Sequence, residues 1–269
     1  MQNNTFSGDS LRQKIIVLEQ IGSTNDYLKS QLSNFKPLPE WTAIMARHQT
    51  HGRGQRGNVW TVPPNKNITV SILLYPKFLS LQDHFLLNML ISLGIIDWLK
   101  SLQIDAEIKW PNDILLNGKK IAGILIENSS TSKAINHAII GIGINVNQQE
   151  FPEEIKATAS SILKETGNEI HDLVKACEEL LQSIQNKYDA FKSEKITEEE
   201  LLNLYNKLLF QRDIPAIYTS NDIQFEGIIR KVDRNGLIYI ESASELKSYQ
   251  FKEVVFHLQK IDYTRKKNN

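Results

Sequence analysis

Residues 107–127 read EIKWPNDILLNGKKIAGILIE, and no other stretch limits the fold as much. Two apolar runs flank Asn117-Gly118. Both central residues of a type I′ turn need positive φ, which Asn and Gly tolerate, so the runs predict a hairpin. A further strand is predicted directly afterwards, over 135–147 (INHAIIGIGINVN). Three strands in a row argue for an antiparallel or mixed sheet. Upstream, the β-branched runs at 14–20, 41–47 and 67–75 predict additional strands. Residues 83–100 place Phe85, Leu86, Met89, Leu90, Leu93, Ile96 and Leu99 at helical spacing. Helices are also predicted after Ser23-Thr24-Asn25 and over 171–191 and 197–209. The acidic run Glu198-Glu199-Glu200 suits the positive end of the last one. The expected class is α+β, a mixed β-sheet with helices on one face.

From Asp213 the texture changes to short strands at close intervals, broken at Asn221-Asp222 and Asn235-Gly236. That spacing predicts a small β-barrel of about 50 residues. The expected organisation is a flexible N-terminus (1–13), a main domain (14–210), the small barrel (211–260) and a tail (261–269).

Composition removes several classes. Lys plus Arg and Asp plus Glu both number 31 in 269 residues, giving zero formal charge. A protein that grips nucleic acid through phosphates usually carries a basic excess, so general DNA or RNA binding is disfavoured. The single Cys177 excludes an internal disulfide framework and a multi-Cys metal site, and it fits a reducing cytoplasm. No stretch approaches the roughly 18 apolar residues of a membrane span. The polar first ten residues do not read as a secretory signal.

Four segments could carry chemistry. The loop 51–60 (HGRGQRGNVW) has three glycines that let backbone approach a ligand, and Arg53 and Arg56 offer planar forks for carboxylate or phosphate. Alone it could equally be a solvated turn. It lacks G-K-[ST], so it is not a P-loop. In Lys109-Trp110-Pro111-Asn112-Asp113, proline implies a bend, and Asn112 could read a purine edge or form a turn. Lys119 and Lys120 could face an acyl oxygen or phosphate, or simply solvent. Gly141 and Gly143 weaken a strand unless another group must come near. Ser23 or Thr24 could be only a helix cap.

As an ordered set, STN, Q-x-x-G-R-G, KWPND, GKKIAGIL and GIGINVN resemble the biotin protein ligase family, of the monofunctional type without an N-terminal DNA-binding domain. The resemblance runs from about Ile15 to Phe256. It implies a class II aminoacyl-tRNA synthetase/biotin ligase-like catalytic domain with an SH3-like C-terminal domain. It implies an enzyme that activates biotin with ATP and Mg2+ to biotinoyl-AMP, then biotinylates one lysine of a biotin carboxyl carrier protein. Carried over, Ser23, Thr24, Asn25, Gln49, Gly52, Arg53, Gly54, Gln55, Lys120 and Gly123 are expected to bind biotin. Arg56, Trp60, Lys109, Asn112, Lys120, Asn145 and Asn147 are expected around ATP, with Trp60 over adenine and Asn112 at its edge. Lys120 and Arg53 are the expected catalytic pair, and magnesium is expected to be held through the phosphates. Many members carry Arg where this chain has Gln55 and Asn58. Too few residues precede the first strand for a helix-turn-helix module, so no operator binding is expected. The chain is expected in the cytoplasm, off the membrane, as monomer or homodimer. A lipoate or octanoate ligase on the same fold, and a biotin sensor that transfers nothing, remain open alternatives.

Overall fold

The computed structural model describes residues 15–34, 38–130 and 135–257. Of the expected segments, 1–13 and 261–269 lie outside the described residues, as does the end of the barrel segment at 258–260.

The large sheet has seven strands: β1 (Ile15–Ile21), β2 (Ala43–Gln49), β3 (Ile68–Leu74), β4 (Glu107–Lys109), β5 (Asp113–Leu116), β6 (Lys119–Ser130) and β7 (Ile135–Ile144). Their spatial order is β1-β2-β3-β7-β6-β5-β4. β1 and β2 run parallel and every other neighbouring pair is antiparallel, so the sheet is mixed. The Asn117-Gly118 turn joins β5 to β6, with φ of 51° and 76° at the two residues, the positive values that the pair was expected to adopt. Proline interrupts the ladder where expected: β4 stops at Lys109, and β5 resumes at Asp113 after a cis Trp110–Pro111 bond.

Strand alternation sorts the side chains to two faces. One face, with Met45, Ile68, Val70, Ile72, Ile140, Ile142 and Ile144, joins the main core under α2 (His84–Ser101) and α4 (Leu173–Lys192). α2 lies between the sheet and α4 and is buried on nearly every side, which explains why it is apolar almost throughout. α4 is amphipathic and buries Leu173, Ala176, Cys177, Leu180, Leu181, Ile184 and Tyr188. The long helices thus share one face, as expected. The short α1 (Thr24–Asn34) takes the opposite face, where Leu28 packs with Ile44, Leu73 and Ile139. The remaining part of that opposite face is where polar residues gather.

Two small helices complete the main body, α3 (Ile162–Thr166) and α5 (Glu198–Lys207). The acidic run starts α5, and Glu200 closes a capping box with Thr197. The C-terminal sheet has strands β8 (Pro215–Ser220), β9 (Ile223–Val232), β10 (Ile238–Ser242), β11 (Glu245–Tyr249) and β12 (Val255–Phe256), in the order β11-β10-β9-β8-β12, antiparallel and of the SH3-like kind expected. Its core residues Ala216, Tyr218, Ile229, Val232, Ile238 and Ile240 are continuous with the main core. Trp110 is the hinge pin of this contact. It is buried, donates its indole N–H to the Gly236 carbonyl at 3.0 Å, and packs its ring against Phe251 and Phe256. Arg234 adds ion pairs to Asp83 and Glu198. No helix among the described residues is long and apolar enough to cross a membrane.

Candidate functional site

The sheet register builds the floor of the site. On the α1 face, Asp113 pairs with Gly123, Gly123 with Gly143, Gly143 with Thr69, and beside them Gly141 pairs with Ser71 and Leu125. Gly123, Gly143 and Gly141 therefore make a flat patch in an otherwise filled sheet. Two side chains use it. A Cβ on Gly141 would sit 2.5 Å from Asn25 Oδ1, and one on Gly143 would sit 2.4 Å from the Trp60 indole. The strand glycines are there for close approach, one of the two readings their sequence allowed.

Above this floor lies an open cleft of roughly 480 Å³. Ser23, Thr24, Asn25, Gln49, Arg53, Gly54, Gln55, Trp60, Asn112, Lys120 and Gly123 line it, together with Thr69, Ile124, Leu125, Gly141, Ile142 and Gly143. Segments far apart in sequence thus contribute both Arg53 and Lys120 to one cavity.

One wall is a buried polar cluster. Ser23 accepts weakly from the Asp26 amide at 3.4 Å, so it caps α1 while facing the cleft. Gln49 Oε1 accepts the Thr24 amide at 2.8 Å and its hydroxyl at 2.9 Å. The Ser71 hydroxyl donates to Asn25 Oδ1 at 2.5 Å and touches Thr24 Oγ1 at 2.7 Å. Ser23, Thr24, Asn25, Gln49 and Ser71 are all buried. Such a network fixes each amide and hydroxyl in one orientation, which a site that reads a small polar molecule requires.

The second wall is the 51–60 loop. It folds back on itself, with Trp60 N donating to Gly52 O at 2.9 Å and Gly54 N to Asn58 O at 2.7 Å, around a 3-10 turn at Gln55–Gly57. The segment was expected to form no regular element, yet its backbone pairs locally across the Arg53–Val59 bridge. Arg53 reaches out of it to Asp26 Oδ1 at 2.6 Å and Glu127 Oε2 at 2.9 Å.

The third wall is the β5–β6 hairpin. Lys120 pairs with Asp113 at 2.7 Å and lies 5.4 Å from the Trp60 ring centroid. Its backbone is clamped from both sides, by Lys120 N to Thr158 O at 2.8 Å and Ser160 N to Lys120 O at 2.9 Å. The clamp is anchored by Glu165, which accepts from Ser160 Oγ at 2.5 Å, Asn117 Nδ2 at 2.9 Å and Lys119 Nζ at 3.1 Å. Burial pushes the Glu165 carboxyl upward, but these three donors outweigh it and hold its pKa below the ordinary value. The ionised form therefore stabilises the fold above the usual glutamate range, and that stability is lost as pH falls through the lowered folded-state pKa. Glu165→Gln is expected to cost roughly 1–3 kcal/mol at neutral pH, the range for leaving buried donors unsatisfied. The difference from the parent should shrink in acid, once the pH falls below the lowered folded-state pKa and the carboxyl itself is protonated. Urea unfolding at the two pH values measures both quantities, and an equal loss at both would contradict this account.

Other expected site residues are placed differently. Asn112 lines the cleft but spends its Nδ2 on Ile124 O at 2.7 Å, leaving its carbonyl oxygen. Trp60, expected over adenine, lies against Gly123 and Gly143 beside Lys120. Gly52 supports the loop from behind the lining, where a Cβ would strike Trp60 O and Gln49 Nε2. Lys109 stands beside the cleft, 5.8 Å from the Phe256 ring. Burial lowers its ammonium pKa, nearby Lys120 lowers it further, and Asp113 opposes both. Asn145 donates to Ser160 O at 3.0 Å, and Asn147 exchanges hydrogen bonds with the Ile170 backbone. Neither asparagine lines the cleft, and Asn147 instead borders a separate open groove with Lys66 and Gln148. The Arg56 side chain lies outside the described residues. Ser71, Thr69, Asp26, Asp113 and Glu127 belong to the site or its supports and were not singled out from sequence. For Thr69 and Ser71 a signal existed, since they are the polar members of the otherwise apolar alternation ITVSILL.

Among the described residues no group of three or more His, Cys, Asp or Glu could cage a metal. Magnesium bound mostly by phosphates and water needs only one or two carboxylates, and Asp113 beside Lys120 is one the cleft could offer.

Comparison with known proteins agrees with this geometry. Residues 17–145 match the biotin/lipoate A/B protein ligase family. The chain is 35% identical over 193 residues to the bifunctional ligase/repressor BirA of Bacillus spizizenii, covering 71% of this chain and 58% of that protein. It is 31% identical over 161 residues to the biotin–[acetyl-CoA-carboxylase] ligase of Mycobacterium tuberculosis, covering 58% of this chain and 57% of that one. The chain thus spans somewhat over half the length of these relatives. The biotin protein ligase of Aquifex aeolicus, solved in complex with biotin and ATP, superposes with a TM-score of 0.77 at 26% identity, covering 92% of this chain and all of that one. The matched domain, the shared architecture and the motif residues gathered at one cleft agree: the chain carries a biotin/lipoate A/B protein ligase family domain over residues 17–145.

Proposed function

We propose that this chain is an ATP-dependent ligase that joins biotin to AMP and passes the biotinoyl group to a lysine of a biotin carboxyl carrier protein. The observation that carries the reading is the convergence of Arg53 and Lys120 on one cleft, beside the buried Ser23-Thr24-Asn25 cluster. A neutral, hydrogen-bonding wall suits the ureido ring, and two cations suit the place where a carboxylate meets a phosphate.

In the first step a biotin carboxylate oxygen attacks the α-phosphorus of ATP, and the bond to the β-phosphate oxygen breaks to release pyrophosphate. In the second, the carrier's lysine amine attacks the acyl carbon and AMP leaves. Bringing two anions together requires positive charge fixed in advance. Lys120 can bridge the carboxylate and α-phosphate, while Arg53 neutralises the acyl-phosphate from the loop. Trp60, flat on the glycine floor, excludes water from the mixed anhydride. Asn112 can offer its free carbonyl oxygen to the adenine amino group. Bound Mg2+ would supply further charge neutralisation on the phosphates, and Asp113, beside Lys120, is the carboxylate that would help to hold it. Asn145 we assign to holding the Ser160 backbone behind Lys120, and Asn147 to holding the Ile170 backbone.

The test is incubation with biotin, ATP, Mg2+ and an apo carrier domain, read by intact mass. One added biotin per carrier supports the ligase. Pyrophosphate release without carrier labelling would instead identify a sensor, and labelling with lipoate or octanoate alone would identify the sister activity.

Gln55 lines the cleft where many relatives carry Arg, so one fixed charge is missing beside the acyl-phosphate. Gln55→Arg is expected to slow escape of biotinoyl-AMP about tenfold, the worth of one charged hydrogen bond. Release is measured by trapping free adenylate after a single turnover, and equal rates in the two proteins would refute it.

A further inference from the structure

Glu127, in the last third of β6, has a carboxylate that bonds both the Asn25 amide of the buried polar wall and the loop arginine Arg53. Its Oε2 accepts from Asn25 Nδ2 at 2.7 Å and from Arg53 Nη2 at 2.9 Å, with Oε1 3.2 Å from the same nitrogen. Asn25 is otherwise held by Ser71 at its carbonyl oxygen, and the space at Gly141 is filled by that oxygen. The carboxylate therefore decides which end of the Asn25 amide faces which way. An amide turned end for end would put Oδ1 against Glu127 and Nδ2 against a hydroxyl.

The same carboxylate orients the guanidinium. Arg53 makes its hydrogen bonds to Asp26 and Glu127 through Nη2 alone. A guanidinium has five N–H donors in a rigid fork. Nη2 belongs to both paired donor edges of the guanidinium, so holding it fixes the plane of the group and leaves Nη1 and Nε as separate single donors for an anionic oxygen.

Building on the biotin reading, we propose that Glu127 is a positioning residue that couples the two halves of the acid-binding site: it sets the Asn25 amide for the ring of the substrate and the plane of the Arg53 guanidinium for its carboxylate. It touches no reacting atom. Its loss would act on recognition of the acid and leave nucleotide recognition alone, because Lys120, Asn112 and the β5–β6 hairpin are held by other contacts.

The experiment measures biotin-dependent pyrophosphate release by the full chain with ATP and Mg2+, titrating each substrate separately. Glu127→Gln keeps the shape but offers one oxygen and one NH2 group, so Arg53 meets a donor in either orientation of the amide and Asn25 meets one in one of them. The expected result is a KM for biotin raised roughly tenfold or more, with the KM for ATP within about twofold of the parent. Glu127→Asp, which keeps the charge, should recover part of the loss. Asp26→Asn, which leaves Asn25 untouched, should raise the biotin KM less than Glu127→Gln. An unchanged biotin KM, or equal rises for both substrates, would overturn the proposal. If the parent protein releases pyrophosphate only with another carboxylic acid, the biotin reading fails, and the same pair of titrations with that acid decides the role of Glu127.

Discussion

Lys120→Ala is expected to abolish adenylate formation at working substrate concentrations, lowering turnover by about 10²–10³-fold, the usual cost of removing one preorganised charge from a transition state. The lysine is placed for this and little else. Its backbone is pinned by the Thr158 and Ser160 contacts, which an alanine would keep. Its ammonium has one ionic partner, Asp113, and a face of Trp60. Its side chain is 34% exposed toward the cleft, so truncation leaves no buried cavity. The variant should therefore fold like the parent, bind biotin through the polar wall, and fail at the joining step. Lys119→Ala, one residue away, is the control. Its ammonium serves Glu165 outside the cleft, so it should cost stability rather than turnover. Single-turnover pyrophosphate release distinguishes the two variants. Full activity in Lys120→Ala would remove the lysine from the chemistry.

How far the fold could be read from the sequence depended on how local the cause was. Asn117-Gly118 announced its hairpin because the φ requirement belongs to those two residues alone. Most strand and helix ends were recovered to within three residues, since periodicity is local, while the short α3 was not expected. The order β1-β2-β3-β7-β6-β5-β4 was not readable, because any of several pairings would satisfy the same alternation. The side taken by α1 was not readable either. Leu28 and Leu32 say that a face is buried but not against which surface. The site followed the same division. Arg53, Lys120, Asn25 and Gln49 stood out in short motifs and meet at the cleft. Glu127 did not, because its partner Asn25 lies 102 residues away and a glutamate ending an apolar run looks like any strand end. Asn145 and Asn147 stand in an equally distinctive motif, but their amides bond backbone carbonyls, and nothing in the letter N tells a ligand contact from a backbone contact.

Gly143→Val should separate stability from activity in the opposite sense to most glycine substitutions. Valine is among the best strand residues and glycine among the worst, so the change favours β7 as a strand. Gly143 does not have a positive φ, so no backbone conformation is lost. The space, however, is already taken. A Cβ there would lie 2.4 Å from the Trp60 ring, and its neighbour across the ladder is Gly123, whose own Cβ position is 3.3 Å from Lys120 Nζ and from the same indole. The side chain that gives way must be Trp60, since the strand is locked on both edges by β3 and β6. Trp60 carries the end of the 51–60 loop, whose N–H closes on Gly52, so expelling the ring moves Arg53 as well. Displacing a catalytic group by about 1 Å is enough to cost roughly 10²-fold. The expected outcome is a melting temperature at or above that of the parent, a red-shifted tryptophan emission as Trp60 enters water, and adenylation reduced about a hundredfold. The double substitution Gly143→Val with Trp60→Ala should regain part of the rate by removing the clash. A Gly143→Val protein that keeps both its emission spectrum and its rate would show that the glycine floor is not what seats the loop.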